Sequence, residues 1–264
     1  MVVEEFESAF LQFQPALKSY LLRILANRED ADDLSHDTYV KALQSLETFA
    51  GKSTLKTWVF SIATNLARDH FRAKQRWVEA AQDNASGDAK KNPHLIDRLI
   101  EVNRQSAPDS FEIRDHIDFC FTCMGKTLSI EQQIALILKD IYEFKVGEIM
   151  VIMDLTEGKV KHALADARRT LIAIFENRCS LIHKRGACYQ CSELNGIVNP
   201  LQDTQVELMK LKMIEEKEKG SDKSRLYDLR VELIKGIDPV SGGGNKLYAY
   251  FLRLMPDYSP KIGE

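Results

Sequence analysis

The chain has 264 residues, 44% apolar and 28% charged, with 13 glycines and 7 prolines. That length can bury one or two real cores, and the scarcity of glycine and proline argues against a turn-rich all-β protein. A net charge of -3 excludes reading a nucleic-acid partner from bulk charge; only the distribution of charge can carry that question. No apolar run approaches the ~18 residues of a membrane span, so no membrane insertion is expected. MVVEEFESAF carries acids where a secretory leader has a basic region, so a cytoplasmic location is expected.

Residues 6–76 read as helices throughout. Phe6, Phe10, Phe13, Leu17, Leu21 and Ile24 form one stripe at spacings of three and four. A second helix is expected from about Asp30 to Leu46 and a third from about Thr54 to Gln75, after a loop at Ala50-Gly51-Lys52-Ser53. Residues 79–110 include AAQDNASGDAKKNPHL, which is small and polar and reads as a linker with weakly helical flanks. Helices resume from about Phe111 to Glu176. Ser129 and Gln132 have capping-box spacing ahead of an apolar run, so a helix should start there. A cysteine-bearing segment, 179–199, precedes a tail, 200–264, with three short helices expected at about 202–219, 223–235 and 245–254.

Two stretches carry the functional signal. In FKVGEIMVIMDLTEGKVKHALADARR (144–169) an apolar helix stops at Asp154-Leu155-Thr156 and a basic helix follows. Ile149, Met153, Leu155, Val160 and Leu164 can share one small core, which is the arrangement of a helix-turn-helix. Asp154 tolerates the left-handed backbone of the turn, and Thr156 can cap the second helix. Gly158, Lys159, Lys161 and His162 then face away from that core and can enter a major groove. The plainer reading is a helix pair with a solvated basic face.

The second stretch is polarised. REDADDLSHD (28–37) holds five acids and one arginine, whereas RDHFRAKQR (68–76) holds four basic residues and one acid. Between them lie Phe49, Lys52, Ser53, Trp58 and Asn65. Aromatics, an amide and cations together suit unpaired bases, with rings to stack and cations for the backbone. Taken one at a time, Trp58, Phe60 and Ile62 read more simply as core.

The order REDADDLSHDTYVKAL…FAGKSTLKTWVFSIATNLARDHFRAKQR, a variable linker, then LSIEQQIALIL…VGEIMVIMDLTEGKVKHALADARRTL resembles a bacterial RNA polymerase sigma factor of the extracytoplasmic-function (ECF) type, which keeps only regions two and four. The resemblance covers about residues 6–76 and 126–175. It implies an all-α fold: region two over 1–78, a linker over 79–110, a helix-turn-helix region four over 111–178, then the cysteine segment and a helical extension. It implies no catalysis and no required cofactor. The implied partners are core RNA polymerase, promoter DNA and an anti-sigma factor. Asp30, Asp33, Asp37 and Tyr39 would dock on the polymerase. Ala50, Gly51, Lys52, Ser53 and Thr54 would hold a flipped base of the minus-ten element, with Asn65, Arg68, Arg72 and Arg76 on the melted strand. Thr156, Gly158, Lys159, Lys161 and His162 would meet the minus-thirty-five element, with Arg168 and Arg169 on phosphates. The sequence departs from the family pattern at Thr64, Asp154 and Ala163, where a basic residue, a glycine and an arginine are common. The alternative is a helix-turn-helix regulator that never engages polymerase; it has no use for the acidic 28–37 helix or the 50–76 block.

Five cysteines remain. Cys179-x3-His183-x4-Cys188-x2-Cys191 has ligand spacing for a structural or regulatory zinc. Cys120 and Cys123 form a second CxxC pair that could share a site with the first. A redox switch and plain packing are the other readings of these thiols. The tail stripes Val206/Met209/Met213, Leu226/Leu229/Leu233 and Leu247/Phe251/Leu254 suit packing onto the sigma regions or onto a partner. An inhibitory role for 200–264 is the sharper expectation.

Overall fold

The computed structural model of the chain describes residues 2–72, 77–78, 80–105, 113–179, 215–216, 219–220, 222–240 and 246–258. Among them every regular element is helical. In chain order these are α1 (Val3–Leu25), α2 (Arg28–Gln44), α3 (Leu55–Arg72), α4 (Ala81–Lys91), α5 (Pro93–Arg104), α6 (Ile113–Gly125), α7 (Ile130–Leu136), α8 (Val146–Met153), α9 (Glu157–Arg178), α10 (Lys223–Lys235) and α11 (Lys246–Leu254). The chain divides into two compact units. One joins residues 1–75 to 128–168; the other joins 76–127 to 169–264.

The first unit begins with the bundle α1–α3. The expected stripe of α1 is its core face: Phe6, Leu17, Leu21 and Ile24 are fully buried and Phe10 nearly so, with Phe13 half-buried. Ala26 ends α1 in the left-handed region, and Asn27 starts α2 by accepting from the Glu29 and Asp30 amides at 2.9 and 3.3 Å. The small residues Ala31, Ser35, Thr38 and Ala42 form the buried stripe of α2, which brings its backbone close to α1 and α3. Thr54 caps α3, its Oγ1 accepting from the Thr57 amide at 3.1 Å.

The same unit continues at Leu128. The capping box at Ser129 forms: its Oγ accepts from the Gln132 amide at 3.3 Å, and Gln132 Oε1 accepts from the Ser129 amide at 3.1 Å. α7 runs on into a π-helical turn, Ile137–Ile141, closed by the Tyr142 amide donating to the Ile137 carbonyl at 3.1 Å. α8 and the first turns of α9 follow. Asp154 adopts φ 52°, ψ 51°, the left-handed turn expected of it, and its N–H closes on the Met150 carbonyl. Ile149, Met153 and Val160 are buried to within 1% and Leu164 to 7%, so the helix-turn-helix core is the predicted one, with Leu155 half-buried at its edge.

In the second unit, the part of the expected linker that is described is mostly helical, with α4 and α5 occupying 81–91 and 93–104. Ala81, Ala85 and Ala89 recur every four residues and are all buried, so the small residues that read as loop composition are a close-packing face. That face meets the 3₁₀ turn Met255–Tyr258, and α5 meets α11. Tyr258 Oη donates to Asp88 Oδ2 at 3.0 Å, and Asn84 Nδ2 donates to the Tyr258 carbonyl at 3.1 Å. α10 packs on α6. The tail helices expected near 223–235 and 245–254 are therefore present; the one expected at 202–219 lies almost wholly outside the described residues.

Candidate nucleic-acid interface

The acidic edge of α2 is set by its helical period. With Ala31, Ser35, Thr38 and Ala42 inward, Asp33 and Asp37 are left exposed, together with Glu29 and Asp32. Asp32 pairs with Lys18 at 2.9 Å. Two of the residues expected on this edge lie elsewhere. Asp30 is half-buried and turned toward α3, where His70 Nε2 stands 3.3 Å from its carboxylate. Tyr39 packs its ring on Phe6 and Phe10 (centroids 5.9 and 5.2 Å), and its hydroxyl donates to Glu7 at 2.7 Å, which raises the phenol pKa. Asp33 and Asp37 are thus the open part of the predicted set, and Glu29 shares their exposed face.

The loop before α3 is open. Ala50, Gly51, Lys52 and Thr54 are exposed and Ser53 is half-buried. Gly51 has φ +68°, a conformation that a side chain strains, so glycine is the natural residue there. Phe49 and Trp58, flanking the loop, lean on one another at 5.1 Å and are both half-buried. Asn65 is exposed. Arg72 ends α3, and Arg76 lies outside the described residues. Thr64, one of the departures, faces the core. It is fully buried and shares a 2.7 Å hydrogen bond with the buried Tyr20 hydroxyl, whose pKa burial drives well above its ordinary value. A basic side chain at that position would have to be buried or turn the helix, which accounts for the threonine.

Arg68 is not open. Its Nη1 donates to the Met153 carbonyl at 2.9 Å, and its Nε lies 3.5 Å from Glu131. Met153 is the last residue of α8, where a carbonyl has no partner within the helix and the helix dipole is negative. α3 and α8 pack along their length around this bond. Thr57 donates to Glu148 at 3.3 Å, and the Lys56 ammonium sits 4.9 Å from the Phe144 ring centre.

The basic face of α9 is open. Thr156, Gly158, Lys159, Lys161, His162 and Arg169 are exposed. Lys161 pairs with Glu157 at 2.6 Å, which lowers the Glu157 pKa, and His162 Nδ1 stands 2.9 Å from Asp166. Arg168, expected on phosphate, instead forks onto the buried Asp140 of the π turn, with Nε donating to Oδ2 at 2.9 Å and Nη2 to Oδ1. A bidentate pair of this kind holds α9 against the π turn. Ala163, another of the three departures, faces inward and is buried.

Of the proposed zinc ligands, Cys179 is buried at the end of α9 and accepts from Arg230 Nη2 at 3.2 Å. The Arg230 guanidinium also lies 4.1 Å from the Phe175 ring centre. His183, Cys188 and Cys191 lie outside the described residues. Cys120 and Cys123 lie on α6, half-buried and buried.

Residues 9–77 match the Sigma-70 region 2 family. The chain is 26% identical over 160 residues to the ECF RNA polymerase sigma factor SigX of Bacillus subtilis, covering 60% of this chain and 77% of that protein. It is 29% identical over 160 residues to the ECF RNA polymerase sigma factor EcfG of Rhodopseudomonas palustris, covering 61% of this chain and 79% of that protein. Among solved structures, it is similar to the sigma factor RpoE crystallised with the anti-sigma factor NepR from Bartonella quintana. There the TM-score is 0.46 and the identity 22%, over 66% of this chain and 98% of that one. The bundle α1–α3 is a sigma region two. The chain belongs to the ECF group of RNA polymerase sigma factors.

Proposed function

We propose that this sigma factor works by dividing three contacts among three helices. The exposed acids of α2, Asp33 and Asp37 foremost, dock on core RNA polymerase. The 50–54 loop with Asn65 and Arg68 receives the melted minus-ten strand. Thr156, Gly158, Lys159, Lys161, His162 and Arg169 meet the minus-thirty-five duplex. The observation that carries the reading is that one chain holds both a region-two bundle and a helix-turn-helix whose basic face is exposed. A regulator that works without polymerase would need only the second.

The protein does no covalent chemistry in this role and acts in the cytoplasm, where polymerase is. Base flipping costs a few kcal/mol per step and is offset by contacts in the receiving loop. The phosphate contacts make promoter binding fall steeply with salt. A zinc reading of Cys179, His183, Cys188 and Cys191 rests on their spacing; zinc at one equivalent in protein purified without chelator supports it, and none counts against it.

The test of the polymerase contact is competition. Asp33→Asn and Asp37→Asn together should weaken binding to core polymerase severalfold at low salt, while leaving duplex binding by α9 unchanged. Full core affinity in the double variant would remove α2 from the contact.

A further inference from the structure

The basic face of α9 carries a carboxylate, Asp166, set back within it. His162 and Asp166 are four residues apart on the helix and so share a face; His162 Nδ1 stands 2.9 Å from Asp166 Oδ2. The two side chains are placed unequally. The imidazole is 80% exposed and the carboxylate 23%, so the acid lies back against the helix and the ring stands out beyond it. The neighbouring Lys161 is engaged by Glu157 at 2.6 Å, and Arg168 is engaged by Asp140. A carboxylate on a surface that approaches phosphates repels them, so Asp166 works against affinity unless it orders a neighbour. An ionised carboxylate only accepts hydrogen bonds, so the ring nitrogen that faces it carries a proton. In the neutral imidazole the second nitrogen, Nε2, then bears the lone pair and is an acceptor. The two nitrogens lie on diverging edges of the ring, so Nε2 points away from Asp166.

We propose that Asp166 is a positioning residue for promoter reading: it fixes the His162 ring so that Nε2 presents an acceptor to the major groove, and His162 thereby selects an exocyclic amino group of adenine or cytosine. This rests on the assignment of α9 to the minus-thirty-five duplex made above. The major-groove donors are the adenine N6 and cytosine N4 amino groups; guanine N7 and O6 and thymine O4 are acceptors and have nothing to give Nε2. An imidazole free to change tautomer would meet either class. The carboxylate therefore turns an ambiguous side chain into a one-way reader. Lys159 and Lys161 cannot take this part, because an ammonium only donates and meets the opposite set of base atoms.

The test is competition binding by the full-length chain on core polymerase, using fragments of a promoter mapped with that holoenzyme. Each base pair of the minus-thirty-five block is changed in turn, for the wild type, His162→Ala, Asp166→Ala and Asp166→Glu. The wild type should lose about fivefold or more at one position where His162→Ala and Asp166→Ala are indifferent. Asp166→Glu, which keeps the carboxylate, should restore the preference, and all four proteins should agree at the other positions. Base analogues at that position then fix the direction of the hydrogen bond. Purine in place of adenine, or pyrimidin-2-one in place of cytosine, removes only the amino group; it should cost the wild type as much as the base change and cost His162→Ala nothing. A 7-deaza purine in the same pair removes a major-groove acceptor and leaves the amino group, and should affect both proteins alike. A wild-type loss on the 7-deaza purine that His162→Ala does not share overturns the proposal, because the ring is then a donor. So does a base preference that survives in Asp166→Ala but not in His162→Ala, which leaves the groove contact standing and removes the positioning. Base preferences identical in the wild type and His162→Ala at every position overturn both the proposal and the assignment of His162 to the duplex.

Discussion

Arg68 and Met153 are 85 residues apart in sequence, yet a guanidinium on α3 completes the C-terminus of α8 through a 2.9 Å hydrogen bond. A partly buried cation at a helix C-terminus contributes up to about 2 kcal/mol. Arg68→Ala should therefore lower stability by about 1–2 kcal/mol, read as a lower urea midpoint at constant m. Arg68→Lys should recover part of this loss, since it keeps the charge but not the fork. An unchanged midpoint in Arg68→Ala would show that the contact is energetically idle.

Arg168 and Arg169 are neighbours with opposite expected phenotypes. Arg168 is paired with the buried Asp140, so Arg168→Ala strands a carboxylate. The cost should be about 3 kcal/mol, at the low end for such pairs because the Arg168 side chain is 44% exposed. Arg169→Ala should move stability by no more than about 0.5 kcal/mol. It should instead reduce the salt slope of duplex binding by about 1. Chemical denaturation and a salt titration of both variants separate the two roles.

Asp154 holds the turn at φ 52°, where an L side chain is strained. Asp154→Gly should stabilise the helix-turn-helix by about 0.5–1 kcal/mol, because glycine meets no penalty there. Asp154→Val should destabilise it by about 1–3 kcal/mol, being β-branched in a left-handed position. Thermal unfolding of the pair should bracket the wild type from both sides.

Tyr258 ties the end of α11 to α4. Burial, and then its hydrogen bond to Asp88, push its phenol up to about 12. The folded value lies above the ordinary value of 10.0, so the neutral phenol is favoured by folding. The resulting stability is present below pH ~10 and is lost as pH rises toward 12. Tyrosinate absorbance should show one phenol ionising late in the wild type that is missing from Tyr258→Phe. If the phenol missing from Tyr258→Phe is instead one that ionises near the ordinary value of 10.0, Tyr258 lies in solvent, away from Asp88.

What could be read in the sequence was local. The α1 stripe, the Ser129 box and the Asp154 turn each depend on residues within a few positions, and all three are in place. The basic face of α9 was equally legible, since Val160 and Leu164 fix which side is inward. Composition misled at α4, where Ala81, Ala85 and Ala89 signal loop by size but close packing by spacing. The contacts that redefine the site are non-local. Nothing within helical range of Arg68 indicates Met153, and nothing near Arg168 singles out Asp140, which faces it from a π turn. Tyr39 was misplaced for a related reason: it follows the acids in sequence, but its ring belongs to the aromatic face of α1.

The most direct test of the account is to add the purified chain to core RNA polymerase with fragmented genomic DNA and sequence the transcript 5′ ends. The account predicts discrete start sites sharing an upstream two-block motif, lost with Arg68→Ala and with Lys159→Ala/Lys161→Ala. Intact binding to polymerase with no start sites would contradict it.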